Sequence, residues 1–219
     1  TSVEAFAATG DPTLLEAVVT PLVQQEKVTA FDIGYRGKIG PINLDANLYY
    51  NMYDGFINQQ IVITPENGST ADPSGIADIV TGQYEAFQLY TNSTEQIQSY
   101  GFVVGGNFKF AENFVFGVNY TYAKFDFDQA KEPDFSAGFN TPENQVKISI
   151  GNSNLFKNFG FNIDGRYKGS YLWESSIANA VMPEIYVVDA QINYGIPAIK
   201  SVIKAGATNL GGTEYQSAV

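Results

Sequence analysis

Residues 42–56 read INLDANLYYNMYDGF, and along them apolar and polar side chains alternate without losing phase. Leu44, Ala46, Leu48, Tyr50 and Met52 fall on one face; Asn43, Asp45, Asn47, Tyr49, Asn51 and Tyr53 fall on the other. A period of two is that of a β-strand. Ordinary strands run to about five or six residues, whereas a strand that crosses a bilayer on a slant needs roughly nine to eleven. A run this long constrains the whole fold, because one face must be covered by something apolar over its full length. The cover is either a second sheet, as in a soluble sandwich, or lipid.

The same pattern recurs seven more times. Phe31, Ile33, Tyr35 and Ile39 alternate with Asp32, Gly34, Arg36 and Lys38; Tyr100, Phe102, Val104, Phe108 and Phe110 alternate with Ser99, Gly101, Asn107 and Lys109. Further alternating runs start at Phe114, Gln145, Phe159, Tyr186 and Ile203, so eight strands are predicted. Short turns (GP at 40–41, AEN at 111–113, NSNLFKN at 152–158, GIPAIK at 195–200) alternate with long connections at about 54–96, 128–140 and 169–183. Tight turns at one end and extended loops at the other favour the lipid cover, since outer-membrane barrels are built that way. The predicted fold is all-β: an antiparallel up-and-down transmembrane β-barrel. Leu44, Leu48, Phe102, Val104, Val118, Ile148, Ile163 and Ile192 are expected to face lipid, and Asn47, Asn107, Lys147, Arg166 and Gln191 the lumen.

On that reading the Phe residues beside the short turns (Phe108, Phe110, Phe114, Phe116, Phe156, Phe159 and Phe161) form one interfacial girdle, and Tyr50, Tyr122 and Tyr167 belong to the other. Within residues 54–96, INQQIVIT (57–64) and QYEAFQLYT (83–91) are expected to pair as a hairpin. Residues 1–26 and 54–96 are expected to be external. The first carries a short helix over 11–25, with Asp11 as cap and Pro12 at the first helical position.

Composition removes several functions. The 219 residues contain no Cys and no His, which excludes thiolate metal sites, a cysteine nucleophile, Ser-His catalysis and the HExxH zinc helix. The net charge is −11, and residues 1–26 and 54–96 together hold ten acids without a single base. A nucleic-acid partner needs a basic face, so none is expected. No catalytic constellation, cofactor site or metal site is read from the chain.

Several stretches resemble the C-terminal barrel portion of TonB-dependent outer-membrane receptors: EKVTAFDIGYRGKIG (26–40), LDANLYYNMYDGFI (44–57), FGVNYTYAKF (116–125), TPENQVKISIG (141–151), VVDAQINYGIP (187–197) and IKAGATNLGGTEY (203–215). Asn209-Leu210 is the most specific piece; Gly211-Gly212 stands where such receptors commonly carry Phe-Asn. The resemblance implies a wide barrel of about 22 strands around a separate plug, energised by TonB through a short N-terminal box. It implies nutrient uptake in the outer membrane. The partners it brings are lipid, the plug, the remaining strands, TonB and a surface lipoprotein. The chain is then expected to be an open partial barrel of about eight strands, the fourteenth to the twenty-first, without plug, box or final strand.

Five residues are candidate ligand contacts. Asp164, Arg166 and Lys168 share one lumenal face at two-residue spacing, against the plainer reading of a hydrated wall with screened charges. Tyr171 and Trp173, the only Trp, lie in SYLWESS (170–176), where an aromatic can stack on a sugar or chelate or anchor at an interface. Three alternatives to uptake stay open: a soluble secreted β-sandwich binding module, a smaller porin-like barrel, and a carboxylate-dependent hydrolase.

Overall fold

In the computed structural model, residues 6, 8–14, 22–68, 72–175 and 179–215 are described. The elements in chain order are β1 (Lys27–Ile39), β2 (Ile42–Asp54), β3 (Ile57–Pro65), α1 (Pro73–Val80), β4 (Tyr84–Asn92), β5 (Ile97–Phe110), β6 (Phe114–Asp126), β7 (Phe135–Ser136), β8 (Asn144–Phe156), β9 (Phe159–Lys168), β10 (Tyr171–Trp173), β11 (Ala180–Met182), β12 (Ile185–Ile196) and β13 (Ser201–Ala207). Eight of them form one antiparallel sheet in the order β1-β2-β5-β6-β8-β9-β12-β13. These are the eight predicted strands. β1 pairs only with β2 and β13 only with β12, so the sheet is open, not a closed small barrel.

Register carries the alternation from strand to strand. Leu44 lies opposite Gly106, then Val118, Ile148, Gly165 and Val188; the next apolar row runs Ile42, Phe108, Phe116, Ile150, Ile163 and Ala190. A one-residue slip anywhere would turn a strand's apolar set to the wrong side. All eight residues predicted to face lipid lie on this face, and the five predicted to face inward lie on the other. Among the described residues no second sheet covers it: Ile33 is 69 % exposed and Leu48 55 %. That arrangement excludes the sandwich, whose apolar faces would meet.

The turns follow from local chemistry. Gly40 (φ 58°) followed by Pro41 closes β1 to β2 in two residues. NSNLFKN was expected to be a loop throughout, and here the structure differs. β8 runs on to Phe156 through an irregularity between Asn152 and Phe156, leaving only Lys157 (φ 39°) and Asn158 (φ 70°) as the turn. Asn152 Oδ1 accepts the Asn154 N–H (2.8 Å) and Asn154 Oδ1 accepts the Asn158 N–H (3.0 Å), so side chains replace the ladder partners lost at the bulge.

The long connections are structured. β3 and β4 form the expected hairpin, paired from Ile57↔Asn92 to Pro65↔Tyr84. Helix α1, between them, was not foreseen, although Asp72 in extended conformation before Pro73 is an ordinary helix start. Toward the N-terminus, Asp11 Oδ1 does accept the Thr13 N–H (2.9 Å), but it caps only a 3₁₀ turn, Pro12–Leu14. Residues 22–26 are not helical, and 15–21 lie outside the described residues. β7 pairs with β3 at Gln59↔Ser136, and Ile97, Phe135 and Ala137 form a buried cluster with Tyr53, Phe56, Phe127 and Phe139 packed on it. The first two connections thus share one small core over the end of the sheet.

Aromatic rings mark both ends of the apolar face. Phe108–Phe110 (5.7 Å), Phe110–Phe114 (5.4 Å), Phe114–Phe161 (6.2 Å) and Phe156–Phe159 (5.0 Å) lie beside the short turns. Tyr50–Tyr100 (6.2 Å), Phe102–Tyr122 (5.7 Å) and Tyr167–Tyr186 (4.8 Å) lie toward the long connections. We predict that Ile148→Arg destabilises the intact barrel in a bilayer by about 2–4 kcal/mol, while Ser149→Arg, one residue along and on the opposite face, costs at most about 1 kcal/mol. Reversible unfolding in liposomes measures both; equal costs would remove the membrane assignment of the apolar face.

Candidate functional site

The polar face is hollow. A cavity of about 910 Å³ is lined from Arg36 on β1 across to Asp189 on β12, which is possible only if seven strands curve toward it. Its floor is low where glycine stands. A Cβ on Gly105 would stand 2.7 Å from the Asn119 amide nitrogen, and one on Gly117 would stand 2.6 Å from Ser149 Oγ. Neighbouring side chains lie across the space those residues leave free.

Charges line this hollow in cross-strand order. Arg36 bonds Asp45 directly opposite it, and Arg166 Nη2 donates to Asp189 Oδ2 (2.7 Å) on the diagonal. Asp189 Oδ1 meanwhile accepts the Asn209 N–H (2.9 Å), so one carboxylate joins β9, β12 and the segment after β13. Asn162 donates to Asp164. Lys147 lies opposite Asn119 on one side and Arg166 on the other, and makes no ion pair with any described residue. Seven cations on this face (Arg36, Lys38, Lys109, Lys147, Arg166, Lys168, Lys204) outnumber four acids (Asp32, Asp45, Asp164, Asp189), although the chain as a whole carries −11. The wall is basic and the connections are acidic.

A second cavity, of about 250 Å³, lies among the long connections. Phe125 and Phe139 stack at 3.9 Å in its wall, and Tyr171, Asn140, Glu143 and Glu174 line it further. Asn140 holds it together: its Oδ1 accepts the Glu174 N–H (2.7 Å) and its Nδ2 donates to the Glu174 carbonyl (2.9 Å). Gly138 N–H donates to Glu174 Oε2 (3.2 Å), tying the same two connections again. The five predicted contacts therefore do not form one site. Asp164 and Arg166 line the hollow; Lys168, one row nearer the long connections, does not. Tyr171 lines the second cavity, whereas Trp173 lies in the β10–β11 ladder opposite Ala180 and outside that lining. Asp189 and Lys147 were missed, since only register reveals what stands beside Arg166.

Glu132 fastens the second connection to the first. Burial pushes its carboxyl up, but donors from Ser93 Oγ (2.5 Å), Thr94 Oγ1, the Thr94 N–H (2.6 Å) and the Glu95 N–H (3.4 Å) outweigh that and hold it below the usual carboxylate range. Beside it, Lys131 Nζ donates to Glu95 Oε2 (2.8 Å); this bond and the Glu95 charge raise the ammonium above its ordinary value. Among the described residues, no group of three or more acidic side chains could hold a metal ion.

The family model described as "TonB dependent receptor-like, beta-barrel" matches residues 4–210. The chain belongs to that family. It is accordingly an outer-membrane protein, of a family of receptors and not of enzymes. Among solved structures it resembles the copper transporter OprC (14 % identity, TM-score 0.63, 89 % of this chain and 27 % of that one). It also resembles the FrpB iron transporter of Neisseria meningitidis (16 %, 0.60, 89 % and 28 %). A third is the outer-membrane ferripyoverdine receptor of Pseudomonas aeruginosa (11 %, 0.57, 94 % and 25 %). At such identities the likeness shows the fold, and this chain spans about a quarter of the length of those receptors. No match was found among curated protein sequences.

The structure gives a reason for the Asn-Leu stretch in this barrel chain. Asn209 (φ 53°) exchanges two bonds with Thr213, Nδ2 to the carbonyl (3.0 Å) and N–H to Oδ1 (3.0 Å), while the Leu210 N–H reaches the Val188 carbonyl (2.8 Å). The chain beyond β13 is thereby held along β12. For Glu132, the lowered carboxyl means that its contribution is fully present above the ordinary value of 4.5 and is lost as pH falls through the lower value it has when folded. The protection factors of the Thr94 and Glu95 amides, with the intrinsic pH dependence of exchange removed, should accordingly fall on acidification, and in Glu132→Gln they should already be low at neutral pH. Unchanged protection in the variant would show that the carboxylate does not hold the loop.

Proposed function

We propose that this chain forms part of the barrel wall through which an outer-membrane receptor imports a scarce nutrient, with energy supplied through TonB. Membership of the receptor family supports this reading, and the observation that carries it is the single curved sheet, apolar on one face and lined by polar and charged side chains on the other. The structural neighbours, a copper transporter and an iron transporter among them, agree with uptake. The open edges at β1 and β13 need cover in a bilayer, which the remaining strands of the barrel would provide. On this reading the plug faces the basic hollow, where Asp164, Arg166 and Lys147 meet it, with Lys168 nearer the mouth. Tyr171 and Trp173 sit among external loops, with Tyr171 placed to stack on an incoming ligand. A surface lipoprotein is a further partner of the same loops.

Residues 1–26, 54–96 and the two other long connections are external in this proposal. A protease site inserted at residues 66–68 should be cut on intact cells, and one at Lys157-Asn158 only after permeabilisation; the reverse pattern overturns the orientation. For uptake, deletion of the gene should impair growth on at least one scarce metal chelate or carbon source. The intact gene should restore growth, but not in cells lacking TonB. Growth equal to the parent on every limiting source, or rescue without TonB, would refute energised import.

A further inference from the structure

The apolar face is not flat. One cross-strand row of it runs Leu44, Gly106, Val118, Ile148, Gly165, Val188, so that two glycines interrupt a row of branched side chains. At Gly165 the gap opens into an apolar notch of about 360 Å³ walled by Val146, Ile148, Tyr167, Tyr186 and Val188. No side chain of the described residues fills it. A Cβ at Gly165 would have only the Ile148 carbonyl oxygen within reach, at 4.0 Å. A smaller notch, about 230 Å³, lies at Gly106 between Leu44 and Val118.

The surroundings say what fits. Tyr167 and Tyr186 pack at 4.8 Å along one side of the Gly165 notch, and the Tyr167 hydroxyl donates to Glu184 Oε2 (3.3 Å) at the long-connection end. The rings thus have a wet end and a dry end, as interfacial aromatics do. The notch lies beside these rings on the lipid-facing surface, with Gly165 and Val188 each three residues from the long-connection end of their strand. An apolar hollow without polar partners does not hold ordered water. From this geometry we infer that the Gly165 notch seats one acyl chain of a membrane lipid, whose headgroup lies level with the Tyr167 hydroxyl. The site is defined by β8, β9 and β12 alone, and rests on the membrane wall, not on any transported ligand.

The test uses the full-length protein in nanodiscs of phospholipid brominated at mid-chain, imaged by electron cryomicroscopy. A bromine peak is expected in the Gly165 notch and none along the flat row Ile150–Ile163. Gly165→Leu should abolish that peak while the density of the barrel strands is unchanged, which shows that the variant has folded. Bromine spread evenly along the wall, an unchanged peak in the variant, or a second protein copy in the notch would each overturn the inference.

Discussion

In a bilayer every backbone N–H and C=O must find a partner within the protein, and the rest of this structure depends on that constraint. It allows only helices and strand ladders; no helix among the described residues is long and apolar enough to cross, and the ladders here are antiparallel, with β1, β2, β6 and β8 each running to 13 residues, enough to span the bilayer on a slant. With backbone groups consumed by the ladder, side chains alone distinguish the two faces. The apolar one tolerates contact with lipid, and the other is free to carry charge.

That second face shows how charge is kept in place on a curved wall. Glycines at 105 and 117 leave the hollow open, and the ions around it are paired across strands, Arg36 with Asp45 and Arg166 with Asp189. Such half-exposed pairs contribute little energy individually. Their positional effect is larger, because Asp189 links two wall strands and the chain beyond the last one at a single carboxylate. Lys147, which also lines the hollow, makes no ion pair with any described residue.

At the long-connection end the organisation changes from ladder to core. Ile97 is fully buried beneath Phe135 and Ala137, and Glu132 and Asn140 tie neighbouring connections by hydrogen bonds to backbone as well as side chains. Loops joined in this way present their aromatic side chains in fixed positions. The acidic connections above and the basic wall below give the surface an axial charge difference, which biases what approaches from either side.

The strands, their pairing order and their two faces were legible in the sequence because a period of two is local information, and alternation over ten residues leaves no second register. The hairpin of 57–65 with 84–92 was legible for the same reason. Helix α1 and the extension of β8 through Asn152–Phe156 were not, because a short helix start and an Asn-supported bulge both look like loop composition. The candidate contacts were only partly legible. Two-residue spacing placed Asp164 and Arg166 on one face, but nothing local could place Asp189 beside Arg166 or Phe139 against Phe125. What the sequence determined by itself is therefore a two-faced antiparallel wall with long connections at one end. Only the tertiary structure decided where that wall is hollow, which charges meet across it and where glycine leaves a notch, because those depend on register between strands distant in sequence.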